Sequence, residues 1–385
     1  MKERNYGIDF LRILSMFMVV VLHVLGKGGV LYATSAGSTR YWVLWFLEIA
    51  AYCAVDCFAL ISGYVMLNAK TKISRISGLW LQTAFYTVLL TILFFKFVPE
   101  TTITSTDVIK SFFPVSTKHY WYISAYFGMY ILVPVLNAAL QNIQKRTMEV
   151  SLVGMFLVFC ILSLEFDPKS KYDPFILDKG YSVLWLCLLY LLGGYFKKYN
   201  IVSKVKKFKA FALFVSMTVV TFLSKYCIET FTTLTTENST YGKLLVNYVS
   251  PTVLLAGVGL FFWASQLKFP KPLEKVISFF APASLGVYLI HVCKPVWTGV
   301  IKDFSRDFVK YDGIKMLVLI AVSAVAIYLA CSLIELLRIR LFKLLRINKL
   351  CLIIENMCTK VFDKIYLKFN QDENALSEEE KVLTK

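Results

Sequence analysis

The sequence predicts an all-α fold: a polytopic membrane helix bundle of about ten transmembrane helices, with both termini in the cytoplasm. Hydrophobic residues make up 57% of the 385 residues and charged residues only 17%, which is too apolar for a soluble protein of this length. The apolar segments are long and rich in Leu, Val and Phe, which favours helices over barrel strands. Lys and Arg concentrate in alternate loops, as is typical of cytoplasmic segments.

Ten apolar segments have lengths that suit a bilayer-spanning helix. The first follows only Met-Lys-Glu-Arg and has no small-residue cleavage site after it, so we expect it to remain as a span. An even number of spans places both termini on one side, and the loops on that side carry most of the cations. The predicted spans are 7–27, 41–67, 79–98, 120–140, 150–166, 181–196, 208–226, 244–265, 276–298 and 314–337.

We expect one transmembrane domain, residues 1–337, followed by two short segments. Residues 338–369 read as a basic amphipathic segment on the cytoplasmic leaflet, and residues 370–385 as an acidic disordered tail. Positive cytoplasmic loops explain the net charge of +17, so we expect a lipid bilayer and no nucleic acid as partner. Of the nine cysteines, Cys53 and Cys57 are one turn apart, but no His or Cys cluster elsewhere matches them, so we expect no metal. We also expect no permanently bound cofactor.

The first helix carries Asp9, Arg12 and His23. A charge in hydrocarbon costs about 2.5 kcal/mol or more, so such side chains usually face the bundle interior. Arg12 and His23 are separated by three turns plus about 20°, so both point the same way, about 16 Å apart along the axis. A snorkelling Arg and a hydrogen-bonded His would fit this spacing equally well, so it leaves structural and functional roles open.

The second helix carries two carboxylates, Glu48 and Asp56. Glu48 lies near the expected depth of His23, where a carboxylate on one imidazole nitrogen would fix its tautomer and raise its basicity. Asp56 lies deeper, near the level of Arg12. Because buried charges are usually paired, either Asp56 or Asp9 is expected to neutralise Arg12.

Two later segments combine cations or aromatic residues. Lys72 and Arg75 are next-turn neighbours that fit phosphate oxygens, although the positive-inside rule alone also predicts cations there. The fourth helix has Trp121, Tyr122 and Tyr130, which are either interfacial anchors or a sugar-binding surface, since an aromatic ring complements the apolar face of a pyranose.

Together, in this order, these segments resemble acyltransferase family 3, bacterial integral-membrane enzymes that O-acylate surface glycans. The resemblance extends to about Glu335, and Lys72 stands where the family usually has Arg. The similar segments are Gly7 to Arg12 through His23, Val55 to Tyr64, Lys72-x-x-Arg75, Trp121-Tyr122 to Tyr130 and Pro134, and Ser284 to His291.

The resemblance implies a multi-pass enzyme of the bacterial plasma membrane. It would move an acyl group, by default acetyl, from cytosolic acyl-CoA to a hydroxyl of a cell-surface or lipid-linked glycan. His23 is then a general base or a transient acyl carrier. Its expected catalytic partner, Glu48, comes from the depth argument above and not from the resemblance. The expected donor-binding residues are Arg12, Lys72 and Arg75, and the expected acceptor-binding residues are Asp56, Trp121, Tyr122, Tyr130 and His291, of which His291 is either a second acid–base group or a buried polar contact.

Two other classes of function fit the same residues. A transporter or flippase for a glycan intermediate or small polar solute would use His23 and Asp56 along a polar pathway. An inactive membrane scaffold would use its charges only to hold the helices together. Consumption of acyl-CoA excludes the transporter, and activity lost on exchanging Arg12 and Asp56 argues against the scaffold.

Overall fold

The computed structural model describes residues 4–98, 103–116, 120–164, 173–236 and 242–383, and within these ranges it contains helices and no strand. The first half contains α1 (Tyr6–Leu25), α2 (Val30–Ala33), α3 (Thr39–Tyr52), α4 (Ala54–Met66), α5 (Ile73–Phe97), α6 (Ser105–Ser111), α7 (Trp121–Asn142) and α8 (Lys145–Phe156). The second half contains α9 (Val183–Lys198), α10 (Lys207–Thr236), α11 (Pro251–Ser265), α12 (Lys271–Phe280), α13 (Ser284–His291), α14 (Lys294–Val296), α15 (Gly313–Leu344) and α16 (Ile347–Leu383).

Seven helical segments in the described part of the chain are long and apolar enough to cross a membrane, which confirms the polytopic helical bundle. The sequence predicts about ten spans, and the three others correspond to shorter helices. These are α8 with the π-helical turn that follows it, α9 and α11. The seven are Tyr6–Ala33, Thr39–Met66, Ile73–Phe97, Trp121–Asn142, Lys207–Thr232, Lys271–His291 and Gly313–Leu344.

Hydrogen bonds between helix ends define the direction of the short helices. The amine of Lys198 donates to the carbonyl of Leu140 at 2.6 Å, so α7 and α9 end at the same side of the bundle. The hydroxyl of Tyr195 donates to Glu149 at 2.6 Å, which places the start of α8 beside the end of α9. Helix α8 therefore runs antiparallel to both. We call the two sides the Arg12 end and the His23 end, after the residues of α1 that lie nearest to each.

Local sequence explains where the main helices begin. The side chain of Asn5 accepts the backbone N–H of Ile8 at 3.1 Å and caps α1, and Asp9 complements the helix dipole in the first turn. The hydroxyl of Ser182 accepts the backbone N–H of Trp185 at 3.2 Å and caps α9 in the same way. The predicted second span is divided at Cys53, where α3 ends and α4 begins.

Two glycines allow α4 and α9 to pack with their backbones in close approach. A Cβ atom on Gly63 would lie 1.9 Å from the carbonyl oxygen of Tyr190, and one on Gly193 would lie 2.1 Å from that of Leu60. Small residues at such crossings are typical of membrane helices, because packing has to replace the hydrophobic effect between spans. This crossing fixes α4, which forms part of the cavity described below.

The C-terminal segments differ from the boundaries that the sequence predicts. Helix α15 continues beyond residue 337 to Leu344, and Arg338 in this extension forms an ion pair with the buried Glu335 one turn earlier. Helix α16 packs against α5. It continues through Leu383, where the composition of 370–385 predicts disorder. Ala, Leu, Glu and Lys are strong helix formers, so that composition also permits a helix.

We expect Gly193→Ala to destabilise the protein, because the added methyl group meets the Leu60 carbonyl at 2.1 Å. Overpacking of this kind costs about 1–3 kcal/mol and should lower the apparent melting temperature in detergent by about 2–10 °C. Gly154→Ala is the matched control, because a Cβ there has no neighbour within 4 Å. Equal melting temperatures for the two variants would contradict the close α4–α9 crossing.

Candidate active site

A cavity of about 620 Å³ lies between α1, α4, α5, α7 and α13. This volume is within the range of small-molecule sites. Six of the ten site residues that the sequence predicts line this cavity, so most of the prediction converges on one place. They are Arg12, His23, Arg75, Trp121, Tyr122 and Tyr130.

One stripe of α1 forms a wall of the cavity from end to end. Arg12 and His23 both line it, and Met16, Val19 and Leu22 lie between them on the same face. The cavity therefore joins a guanidinium at one end to an imidazole at the other along an apolar wall. This arrangement agrees with the spacing argument, because helix geometry places these positions on one side.

The imidazole of His23 is hydrogen-bonded to a second imidazole. Its Nδ1 lies 2.7 Å from Nε2 of His291, and Nδ1 of His291 lies 2.5 Å from the carbonyl oxygen of Val287. A carbonyl only accepts, so Nδ1 of His291 carries a proton and its Nε2 is the acceptor. Nδ1 of His23 then donates to His291, which leaves Nε2 of His23 with a free lone pair.

The indole of Trp297 fixes the other side of His23. The two ring centroids are 4.7 Å apart and the ring planes meet at 82°, an edge-on contact. His23 is thus held between His291 and Trp297, and its ring orientation does not depend on a bound substrate. Trp297 lies outside every motif that the sequence analysis used, and nothing in the sequence places it beside His23.

Arg12 is paired with Asp9. Its Nη1 donates to Oδ1 of Asp9 at 2.6 Å, and Arg4 donates to the other carboxylate oxygen, also at 2.6 Å. Of the two acids that the sequence proposes as partners for Arg12, the nearer one is correct. Arg12 keeps 34% of its side chain exposed and lines the cavity, so the pairing leaves it accessible to an anion.

Tyr130 holds the entry of α5 in place. Its hydroxyl accepts the backbone N–H of Lys72 at 3.2 Å and donates to the carbonyl oxygen of Lys72 at 3.1 Å. Arg75, in the first turn of the same helix, lines the cavity. The side chain of Lys72 is exposed and does not line the cavity. Of the predicted basic pair, only Arg75 therefore lies in the cavity wall.

Glu48 does not occupy the position that the sequence predicts. His291, and not Glu48, is hydrogen-bonded to Nδ1 of His23, and Glu48 does not line the cavity. Glu48 is buried near Lys243 instead. The reason is geometric: the depth of a residue along a helix does not determine which way it points around the axis.

Asp56 lies outside the cavity and bridges two helices. It is fully buried, its Oδ1 accepts the indole N–H of Trp185 at 3.0 Å, and it does not line the cavity. Arg12 pairs with Asp9 rather than with Asp56, and the expected contact of Asp56 with a substrate stays a prediction. Its neighbour Trp185 belongs to α9, which packs on α4, so the bond joins these two helices.

A second polar cluster lies beside the cavity and was not foreseen. Gln82, which lines the cavity, donates to Glu335 at 3.0 Å, and the hydroxyl of Tyr86 donates to the same carboxylate at 2.6 Å. Arg338 forms an ion pair with Glu335. Gly286 on α13 leaves room for this carboxylate, because a Cβ atom on Gly286 would lie 2.3 Å from the Glu335 side chain. The carboxylate thus ties α5, α13 and α15 together at the cavity wall.

Comparison with known families agrees with this geometry. The family model of acyltransferase family 3, described as an acyltransferase domain, matches residues 5–336. The chain belongs to acyltransferase family 3. No curated protein and no solved structure matches the chain.

This member of acyltransferase family 3 is therefore a membrane acyltransferase with several spans. The matched region ends within α15, just beyond Glu335 and before α16. It includes every residue that lines the cavity. The cavity, rather than the C-terminal helix, is the part of the molecule in which an acyltransferase reaction has to be placed.

We expect His291→Leu to lower acyl transfer by about 10- to 100-fold, because Nδ1–H of His23 loses its acceptor and the ring loses its fixed tautomer. His291→Gln should restore part of the rate, since its amide oxygen can accept the same hydrogen bond. The measurement is the initial rate of coenzyme A release. Equal rates for the Leu and Gln variants would show that His291 serves packing only.

Proposed function

We propose that this acyltransferase moves an acyl group, by default acetyl, from cytosolic acyl-CoA to a hydroxyl of a cell-surface or lipid-linked glycan in a bacterial cell membrane. The observation that carries the proposal is the single cavity that reaches both Arg12 and His23. A donor made in the cytosol and an acceptor on the outer face require one passage open to both sides. The class of acceptor comes from the family resemblance.

The Arg12 end is suited to the donor. Arg12 and Arg75 line the cavity there, and guanidinium groups bind phosphate oxygens with two parallel hydrogen bonds. Lys72 lies outside the lining, so it would add charge at the entrance without contacting the thioester arm. Lys145, Lys197 and Lys198 lie at this same end, and cations are typical of cytoplasmic loops.

The distance between the two ends supports a donor that lies along α1. Arg12 and His23 are about 16 Å apart along the helix axis. Acyl-CoA carries its thioester on a long flexible arm, well separated from its phosphates. With the phosphates at Arg12 and Arg75, the arm would follow the apolar wall of Met16, Val19 and Leu22 toward His23.

The geometry at His23 supports general-base catalysis. Its free Nε2 would take the proton of the acceptor hydroxyl as the hydroxyl oxygen bonds to the thioester carbonyl carbon. The carbon–sulfur bond then breaks, and coenzyme A leaves as a thiolate that takes up the proton from His23. His291 would stabilise the transient imidazolium by accepting from Nδ1. The same Nε2 could carry the acyl group in a two-step variant of the reaction.

Trp121 and Tyr122 support an acceptor that enters from the His23 end. Both lie at the start of α7 and line the cavity. Tyr248 and Tyr288 line the same region, which makes this part of the wall strongly aromatic. Aromatic walls with a few polar groups are typical of binding sites for small organic ligands.

We expect His23→Ala to reduce transfer by about 10²–10⁴-fold, the usual contribution of a general base. The assay uses purified protein, acetyl-CoA and the surface polysaccharide of the source organism after removal of its esters with mild alkali. It follows both coenzyme A release and new ester. The melting temperature in detergent serves as the folding control. Undiminished transfer by folded His23→Ala protein would refute the proposed chemistry.

We expect Arg75→Ala to raise KM for acetyl-CoA by about tenfold, because a charge-assisted hydrogen bond contributes about 1.5–3 kcal/mol. Lys72→Ala should raise it less than about threefold, since an exposed cation acts mainly through screened attraction. Both variants are compared by steady-state kinetics at fixed acceptor concentration. A larger effect at Lys72 than at Arg75 would mean that the donor lies outside the cavity.

A further inference from the structure

Within the described part of the chain, Glu48 has a buried carboxylate oxygen without a hydrogen-bond partner. The residue is 8% exposed, and none of the residues that the structure describes donates a hydrogen bond to its buried Oε2. Burial of such an oxygen is unfavourable unless another group satisfies it, so an orphaned acceptor in a native structure requires an explanation. Glu48 plays no part in the hydrogen bonding of His23, which leaves its role open.

Charged and aromatic side chains at the His23 end surround Glu48. Lys243 interacts with it electrostatically, but the Lys243 amine lies over the rings of Tyr32 and Trp45, 5.4 Å from each centroid. Lys243 and Tyr32 are exposed, Tyr32 by 64%. The carboxylate therefore lies beneath a rim that solutes on that side of the bundle can reach.

A continuous series of rings joins this rim to the cavity. The ring of Tyr52, one turn after Glu48 on α3, has its centroid 5.0 Å from that of Tyr248. The centroid of Tyr248 is 5.1 Å from that of the partly exposed Tyr181. The ring centroids of Tyr181 and Trp121 are 4.4 Å apart. Both Tyr248 and Trp121 line the cavity that contains His23. The aromatic surface is thus shared between the surroundings of Glu48 and the cavity.

A nearby ion pair shows what a purely structural carboxylate looks like in this region. Glu229 on α10 pairs with the buried Lys225, and the hydroxyl of Tyr41 donates to it at 2.5 Å. The amine of Lys225 lies 3.9 Å from the ring centroid of Trp45, so the pair already joins α10 to α3. Because that contact is complete without Glu48, anchoring of α3 does not account for the orphaned oxygen.

We propose that Glu48, Lys243 and the rings of Tyr32, Tyr52 and Tyr181 form a carbohydrate subsite that holds the acceptor outside the catalytic cavity. A carboxylate accepts hydrogen bonds from sugar hydroxyls, an ammonium donates to ring and hydroxyl oxygens, and aromatic faces pack against the apolar face of a pyranose. One acceptor residue would occupy this subsite while the next places its hydroxyl at Nε2 of His23. The inference rests on the proposed function, since it presupposes a glycan acceptor.

The test measures acceptor and donor kinetics separately for Glu48→Ala and Glu48→Gln. The probes are acetyl-CoA and the surface polysaccharide of the source organism, de-esterified with mild alkali. We expect Glu48→Ala to raise KM for the polysaccharide about tenfold and Glu48→Gln to raise it less, because the amide oxygen still accepts one hydrogen bond. KM for acetyl-CoA should not change in either variant.

Two controls separate binding from folding. Asp307→Asn removes an acidic side chain from an exposed ion pair with Lys310 at the same end and should leave both KM values unchanged. Melting temperature in detergent should fall for Glu229→Ala, which breaks a buried ion pair, and should stay equal or rise for Glu48→Ala, which removes an unsatisfied group.

The outcomes distinguish the inference from the proposed function. If the wild-type protein transfers acetyl groups to the polysaccharide and Glu48→Ala leaves the acceptor KM unchanged, the subsite is wrong and the function stands. A lower melting temperature of Glu48→Ala with unchanged kinetics likewise assigns Glu48 a structural role. If the wild-type protein transfers nothing to the polysaccharide while it still cleaves acetyl-CoA, the glycan acceptor fails and the subsite fails with it.

Discussion

The hydrogen bond between the imidazoles of His23 and His291 is the interaction on which the candidate site depends. Inside a membrane bundle, polar groups have to find partners within the protein. The Val287 carbonyl fixes the proton on His291, and His291 then fixes the proton on His23. The series of hydrogen bonds ends at the Val287 carbonyl, which can only accept, and it leaves Nε2 of His23 without a proton and able to accept one. One backbone carbonyl on α13 thus determines that a lone pair on α1 is free to react.

The same requirement for partners separates structural charges from available ones. Asp9 accepts from two arginines and Glu335 from three side chains, so both carboxylates are satisfied within the bundle. Arg12 is held by Asp9 yet remains partly exposed, and one oxygen of Glu48 has no hydrogen-bond partner among the described residues. A buried polar group with unused hydrogen-bonding capacity is unfavourable, and a ligand that satisfies it recovers that free energy.

Close helix packing is what allows these groups to meet. The glycines of the α4–α9 crossing and Gly286 beside Glu335 remove side-chain volume where backbone and carboxylate approach each other. The cavity lies beside these contacts and is enclosed by helices from both halves of the chain. Rigid walls of this kind keep the guanidinium end and the imidazole end at a constant separation, as a donor stretched between them would require.

The sequence alone determined the fold class and the stripe of α1, because both follow from local properties. Hydrophobicity indicates the membrane helices, and 3.6 residues per turn place Arg12 and His23 on one face. Only the tertiary structure decided that His291 rather than Glu48 is the partner of His23, that Trp297 packs on the same ring, and that Asp56 bonds Trp185. Those contacts join residues far apart in the chain, and they depend on how each helix is rotated about its axis, which spacing along a single helix does not encode.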